Sequence, residues 1–102
     1  MESRIDEALT ILMEECGEVI QCASKIIRFG DAEDKRIELS RELGQIEYMI
    51  NLLIELDTVI PSEKSDGYTE KGVKLRKYSN LFLNPEAPEK HSEYYWDKNR
   101  NR

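Results

Sequence analysis

The sequence predicts an all-α protein, built as an antiparallel helical bundle. Two long segments place apolar residues at intervals of three and four, the spacing that forms one face of an α-helix. Turn-forming residues, Gly30 and Pro61, close these segments. The chain has 102 residues, and a domain of this size buries a limited part of its surface. We therefore expect dimerisation or tetramerisation to complete the core.

The first predicted helix runs from about Ile5 to Arg28, and Gly30 with Asp31 predicts a stop and a turn. Its two thiols, Cys16 and Cys22, are separated by roughly 240° of helical rotation, so they cannot form a disulfide within the helix. The apolar residues form one stripe along this helix: Ile5, Leu9, Leu12, Cys16, Val19, Ile20, Ala23, Ile26 and Ile27.

The second predicted helix runs from about Asp34 to Val59 and is ended by Pro61. It carries two apolar stripes, roughly 100° apart around the helix. A helix that is apolar on two sides is buried on two sides, so we expect the second stripe to meet another subunit. The first stripe is Leu39, Leu43, Ile46, Ile50 and Leu53, and the second is Met49, Leu52 and Leu56.

The remainder of the chain predicts a loop over residues 62–67 and a third, shorter helix over residues 68–83. We expect residues 1–83 to form the helical domain. Residues 84–102 are polar, with two prolines, and predict a loosely ordered C-terminal tail. Three adjacent aromatic residues in this tail are expected to dock on the bundle or on a partner subunit: Tyr94, Tyr95 and Trp96.

The charge balance excludes several functions. A formal net charge of -6 argues against general nucleic-acid binding, which needs a basic surface, and against docking on anionic membranes. The first residues lack the features of a signal peptide, and the longest apolar stretch is too short to span a bilayer, which together predict a cytoplasmic protein. A small phosphorylated ligand remains compatible, because a bound divalent cation inverts the sign of an acidic site.

Acidic residues cluster on both long helices. In the run EECGE, Glu14 and Glu15 lie four and three residues before Glu18, so their side chains can converge. On the second helix, Glu38 and Glu42 are likewise four residues apart. Magnesium prefers hard oxygen ligands and bridges to substrate phosphates. Two antiparallel helices that each offer such a pair predict a magnesium site.

The alternative interpretation is that these carboxylates form a solvated helix face. One observation counts against it. Glu38, Glu42 and Gln45 share the angular sector of Met49 and its stripe, so they continue a surface that we expect to be buried. Buried carboxylates need hydrogen-bonding partners or a metal.

The runs EECGE and ELGQ resemble the EExxE and ExxD signature of the MazG-like, all-α nucleoside triphosphate pyrophosphohydrolases. Glu14, Glu15 and Glu18 match the first element, and Glu42 matches the glutamate of the second. The stretches LTILMEECGEVIQCASKIIRFG and KLRKYSNLF are similar to small MazG-like proteins of phages. The resemblance covers roughly residues 5–83.

This resemblance implies a dimeric or tetrameric bundle that acts in the cytoplasm, that of the host cell if the chain is phage-encoded. Its carboxylates would bind Mg²⁺, and water would attack a nucleoside triphosphate between the α- and β-phosphates, giving a monophosphate and pyrophosphate. The implied magnesium ligands are Glu15, Glu18 and Glu42. Candidate substrate-binding residues are Gln45 and, as phosphate contacts, Lys25, Arg28, Lys74 and Lys77. The alternative role of Lys25 and Arg28 is a solvated basic helix end.

The chain departs from the signature at Gln45, which stands where the family has an aspartate. An amide oxygen carries no charge and cannot act as a base, so metal binding and water activation should weaken. Glu38, one turn before Glu42, is the candidate to supply the missing charge. Three hypotheses remain open: a Mg²⁺-dependent pyrophosphohydrolase, a degenerate relative that sequesters a nucleotide or nucleotide signal, and a structural helical module.

Overall fold

The structure is a computed structural model, and it describes residues 2–78. Within these residues every regular element is helical and no strand is present, which confirms the predicted all-α class. No helix in this part is long and apolar enough to cross a membrane. The chain divides into two units, Met1–Ile60 and Pro61–Arg102, which are described separately. The helices are α1 (Ser3–Phe29), α2 (Glu33–Glu55) and α3 (Pro61–Tyr78).

Helices α1 and α2 pack side by side as an antiparallel hairpin. Ala8, Met49 and Leu53 form its buried core, and Leu53 is only 1% exposed. The amphipathic pattern explains this packing, because each helix removes one apolar side from water against the other. Partly buried residues surround the core: Leu9, Ile11, Leu12, Leu52, Leu56 and Val59.

The turn between α1 and α2 is made by residues 30–32, and Gly30 ends α1 as predicted. Gly30 has φ 101° and ψ 159°, a region that is open almost only to glycine. Its N–H donates a hydrogen bond to the carbonyl of Ile26 at 3.0 Å. Arg36 Nη1 lies 2.9 Å from Asp31 Oδ1, so an ion pair ties the turn to the first turn of α2.

Replacing Gly30 with alanine is expected to destabilise the hairpin by about 1–3 kcal/mol, because a Cβ strains this backbone conformation. Urea unfolding followed by circular dichroism measures the change. The matched control is Gly44→Ala, in the interior of α2, where a Cβ meets open space. Alanine there should stabilise the helix by about 0.5–1 kcal/mol. Equal effects at the two positions would contradict this account of the turn.

The end of the second helix differs from the prediction. Helix α2 ends at Glu55 rather than at Val59. Asp57 takes up a left-handed conformation, with φ 58°, and the carbonyl of Leu53 accepts hydrogen bonds from the N–H groups of Thr58 at 2.9 Å and Val59 at 3.1 Å. The apolar pattern continues past Glu55 because Val59 folds back onto the core, although the helix has already ended.

The predicted loop over residues 62–67 is wrong, because these residues lie inside α3. Pro61 begins this helix instead of merely ending the previous one. Proline suits the first helical position, where its missing N–H would have no partner in any case. Helix α3 buries none of its side chains. Residues 79–102, including the predicted tail with Tyr94, Tyr95 and Trp96, lie outside the described residues, and the predicted boundary after residue 83 stays a prediction.

The second predicted apolar stripe of α2 contributes to the hairpin core, and its contact with another subunit stays a prediction. Met49 is buried in the hairpin core, and Leu52 and Leu56 pack against it. The face of α2 that contacts α1 lies between the two predicted stripes, so Leu53 from the first stripe and Met49 from the second are buried together.

Candidate functional site

Glu15 of α1 and Glu42 of α2 face each other across the hairpin. Both side chains are partly buried. One oxygen of each carboxyl group, Glu15 Oε2 and Glu42 Oε2, is buried without a hydrogen-bond partner. A buried carboxylate oxygen without a donor is costly. The pair predicted from the two sequence runs therefore exists in the fold, and one oxygen of each carboxyl group has no hydrogen-bond donor among the described residues.

The environment raises the pKa of Glu42 above its ordinary value. The largest cause is a side-chain hydrogen bond with Glu15, followed by burial and by the negative charges of Glu15 and Glu18. When both carboxyl groups of the pair are ionised, neither can donate a hydrogen bond to the other. A proton on Glu42 supplies that bond. A cation between the two groups would relieve the same repulsion.

The donor set of this pair fits Mg²⁺, which is commonly held by one or two carboxylates together with water and substrate phosphates. Two orphaned carboxylate oxygens meet that need. The larger predicted set is not gathered, since among residues 2–78 no three His, Cys, Asp or Glu side chains converge closely enough to hold a metal ion. Glu18 is exposed and acts on Glu42 through its charge.

Lys25 and Glu38 form an ion pair across the two helices, and Glu38 lies one turn before Glu42 on α2. Lys25 Nζ lies 3.9 Å from Glu38 Oε2, and each side chain is about half exposed. Glu38 and Gln45 were predicted to continue a buried stripe with Glu42, and this prediction is wrong for both, because both are exposed. They lie roughly 40° and 60° around α2 from Glu42, which moves them to the edge of the helix contact.

Cys22 lies among these charges, and the sequence analysis missed it as part of the site. Its side chain is buried. Burial raises the pKa of this thiol, the negative charges of Glu38, Glu42 and Glu18 raise it further, and Lys25 opposes them. Cys22 therefore stays a neutral thiol. The sequence did contain a signal for this: Cys22 lies four residues after Glu18 and three before Lys25, a spacing that makes these side chains neighbours on a helix.

An open groove of about 230 Å³ is lined by Glu15, one member of the carboxyl pair. It is largely apolar, and Gln45 places an amide at its edge. A second groove of about 240 Å³, beside Ala8, shares Ile11 with the first. Sequence reasoning missed Ile11, Tyr48 and Met49 as lining residues, because the groove exists only where the two helices meet. The residues that line the first groove are Ile11, Glu15, Gln45, Tyr48 and Met49.

The remaining basic candidates stand apart from this cluster. Arg28 is exposed, and its guanidinium carbon lies 5.0 Å from the centre of the Phe29 ring. Lys74 and Lys77 are exposed on α3, in the other unit. The Lys77 ammonium lies 5.7 Å from the centre of the Tyr78 ring. Contacts of these three residues with phosphate stay predictions.

Fold and site together define a class: an all-α protein in which a helical hairpin holds a facing carboxyl pair next to a largely apolar groove. Comparisons with protein-family models, curated proteins and solved structures found no match.

Proposed function

We propose that the protein binds a nucleoside triphosphate together with Mg²⁺ and hydrolyses it to a monophosphate and pyrophosphate. The observation that carries this proposal is the facing pair of Glu15 and Glu42, each with a buried oxygen that lacks a partner. Such a pair is unfavourable without a cation or a proton. A divalent cation would reverse the local charge and make the site attractive to phosphates.

The surroundings of the pair fit the two ends of a nucleotide. Lys25, which pairs with Glu38 one turn from Glu42, offers a cation for the phosphates, and this exposed ion pair is weak enough to exchange for a phosphate contact. On the other side, the groove beside Tyr48 and Met49 offers apolar surface for a base and sugar. When bound, Mg²⁺ would neutralise phosphate charge and polarise the phosphorus–oxygen bond.

The motif resemblance supports the same assignment. The run EECGE contributes Glu15, and ELGQ contributes Glu42, the two residues that meet in the fold. In the resembling family, these positions bind magnesium. Glu38, one turn before Glu42 on α2, is the further carboxylate, and we assign to it part of the negative charge that Gln45 lacks.

A second candidate function is favoured by Gln45. Its amide lines the groove at the position where a hydrolase of the resembling family has a carboxylate. Because an amide neither carries charge nor accepts a proton at neutral pH, the same site would bind Mg²⁺ and a nucleotide without turnover. The protein would then sequester its ligand.

A panel of nucleoside triphosphates and cyclic nucleotides, each with and without Mg²⁺, tests both candidates. Binding is measured by calorimetry, and the recovered ligand is analysed by chromatography after prolonged incubation. Monophosphate with pyrophosphate supports hydrolysis. Recovery of the bound ligand unchanged throughout the panel would refute hydrolysis and support sequestration. Failure to bind any nucleotide would refute both and favour a structural helical module.

Lys25→Met is expected to weaken Mg²⁺-supported triphosphate binding about tenfold or more, because a charged hydrogen bond to phosphate is lost. The free energy of unfolding should change by less than about 1 kcal/mol, since the Lys25–Glu38 pair is exposed. Calorimetric titration and urea unfolding measure the two quantities. The control is Arg28→Met, near the end of the same helix, which should have the smaller effect on binding. Equal losses would show that Lys25 has no special position.

A further inference from the structure

The two grooves of the hairpin lie end to end along one side of it, and we name them together the hairpin cleft. They share Ile11. Their lining residues recur every three or four positions on each helix, so each set occupies one helix face. Because the helices are antiparallel, the cleft runs from Arg4 to Glu15 along α1 and from Leu56 back to Gln45 along α2.

The two ends of the hairpin cleft differ in chemistry. At one end, Glu15 belongs to the carboxyl pair, to which we assign Mg²⁺ and the phosphates. At the other end, the second groove carries two charged and exposed residues, Arg4 and Glu7. Glu7 lies eight residues before Glu15, which is about 12 Å along the helix axis. A nucleoside triphosphate in an extended conformation covers this distance, so its sugar lies over the first groove and its base reaches the second.

Arg4 and Glu7 offer opposite hydrogen-bonding groups to a ligand in the second groove. They lie three residues apart on α1, so their side chains are neighbours. The guanidinium has only donors, and the ionised carboxylate has only acceptors. Arg4 donates to Glu2 through its Nε, and the Arg4 side chain is 74% exposed, so this ion pair is weak enough to exchange for a ligand. The planar guanidinium can then bind two adjacent acceptors at once.

This combination of groups matches guanine among the bases. Guanine presents two adjacent acceptors, O6 and N7, which arginine binds with two hydrogen bonds. Its N1–H and its N2 amino group are donors, which a carboxylate accepts. Adenine turns its N6 amino donor toward the guanidinium and its N1 acceptor toward the carboxylate, so both contacts are unfavourable. The pyrimidine bases lack N7 and cannot make the bidentate contact with Arg4.

We propose that the second groove is the base subsite of the nucleotide site, and that Arg4 and Glu7 make it selective for guanine. The two charged residues bind the edge of the base, and the apolar residues of the groove contact its faces: Ala8, Ile11, Leu52 and Leu56. This inference rests on the proposed function. It applies equally to a hydrolase and to a sequestering protein, because both bind the base before any chemical step. Arg4 and Glu7 therefore determine specificity through affinity.

Calorimetric titration of the full chain with Mg²⁺ and the α,β-methylene analogues of GTP and ATP tests this subsite, because the proposed hydrolysis cannot cleave these analogues. The GTP analogue should bind about tenfold more tightly or better. Arg4→Met and Glu7→Gln should each weaken its binding about tenfold and change the affinity for the ATP analogue little. The control Asp6→Asn makes the same carboxylate-to-amide change at an exposed position, about 100° around α1 from Glu7, and should keep the preference.

The outcomes separate this inference from the proposed function. Equal affinity for the two analogues, or a preference for the ATP analogue, would overturn the guanine assignment and leave the proposed function in place. A guanine preference that persists in both variants would overturn the role of Arg4 and Glu7. Binding of neither analogue would overturn the inference together with the proposed function. Circular dichroism should show unchanged helix content, since both side chains are exposed. Should Arg4→Met lose helix content, Glu7→Gln alone must abolish the preference, or the inference fails.

Discussion

Glu42→Gln is expected to weaken Mg²⁺-dependent triphosphate binding by at least 10- to 100-fold, the range seen when even outer-shell support of a metal is lost. The same change should raise the Tm of the ligand-free protein at neutral pH. Both effects have one cause. Glu42 faces Glu15 across the hairpin, and a negative charge there helps to hold a cation but repels its neighbour when no cation is bound.

The pH dependence of the Tm difference follows from the raised pKa of Glu42. In the folded chain, Glu42 holds its proton to a higher pH than in the unfolded chain, mainly through the hydrogen bond with Glu15. The stability that this proton contributes is fully present below pH 4.5, the ordinary pKa of a glutamate. It is lost as the pH rises through the raised pKa of Glu42 in the folded chain. The advantage of Glu42→Gln in Tm should therefore be largest at neutral pH and shrink in acid.

The control for this experiment is Glu14→Gln, which removes an exposed carboxylate from the same acidic run. It should leave both binding and the pH dependence of the Tm close to those of the wild type. Thermal melts across the pH range and calorimetric titration with Mg²⁺ and a triphosphate provide the data. If Glu42→Gln bound the ligand as well as the wild type, the carboxyl pair would have no part in binding, and a structural helical module would be the better description.

Gln45→Asp is expected to raise turnover on the order of 100-fold, a typical contribution of a positioned acid or base. The substitution restores a carboxylate at the edge of the groove that Glu15 and Gln45 line together. Release of pyrophosphate from each triphosphate measures the change. The matched control is Gln45→Asn, which shortens the side chain equally but adds no charge, and it should leave turnover unchanged.

Comparing these two variants shows whether the charge or the length of the side chain at position 45 limits turnover. A rise with Gln45→Asp alone indicates that the wild-type site is limited by its missing carboxylate. An equal rise with Gln45→Asn would show that side-chain length limits the site. No turnover in either variant would place the chain among nucleotide-sequestering proteins, provided that both variants still bind the ligand.

A helix could be predicted where its apolar pattern is long and a residue with special backbone geometry ends it. Gly30 ends α1 because it adopts a conformation that few other residues tolerate, and this information is carried by one residue. The end of α2 could not be predicted in the same way. Val59 continues the apolar pattern, yet it reaches the core through a turn at Asp57. A proline such as Pro61 can follow the end of one helix or begin the next, and the neighbouring residues do not indicate which of the two it does.

The candidate site was predictable in its centre and not at its edges. Carboxylates one turn apart on two helices indicated Glu15 and Glu42, which the fold brings together. The exposure of Glu38 and Gln45 could not be predicted. A rotation of α2 about its axis by tens of degrees decides which neighbours of Glu42 are covered by α1. Rotations of similar size determine that Met49 of α2 is buried against α1 and that Ile20 of α1 stays exposed.

The short connection between α1 and α2 has a consequence for the rate of folding. Residues 30–32 reverse the chain, and Arg36 holds Asp31 just beyond the reversal, so closing the loop costs little entropy. Chains dominated by such local contacts fold within microseconds to milliseconds. Glu15 and Glu42 should therefore meet in a first-order step whose rate is independent of protein concentration. A newly made chain would complete its carboxyl pair before it encounters a second copy.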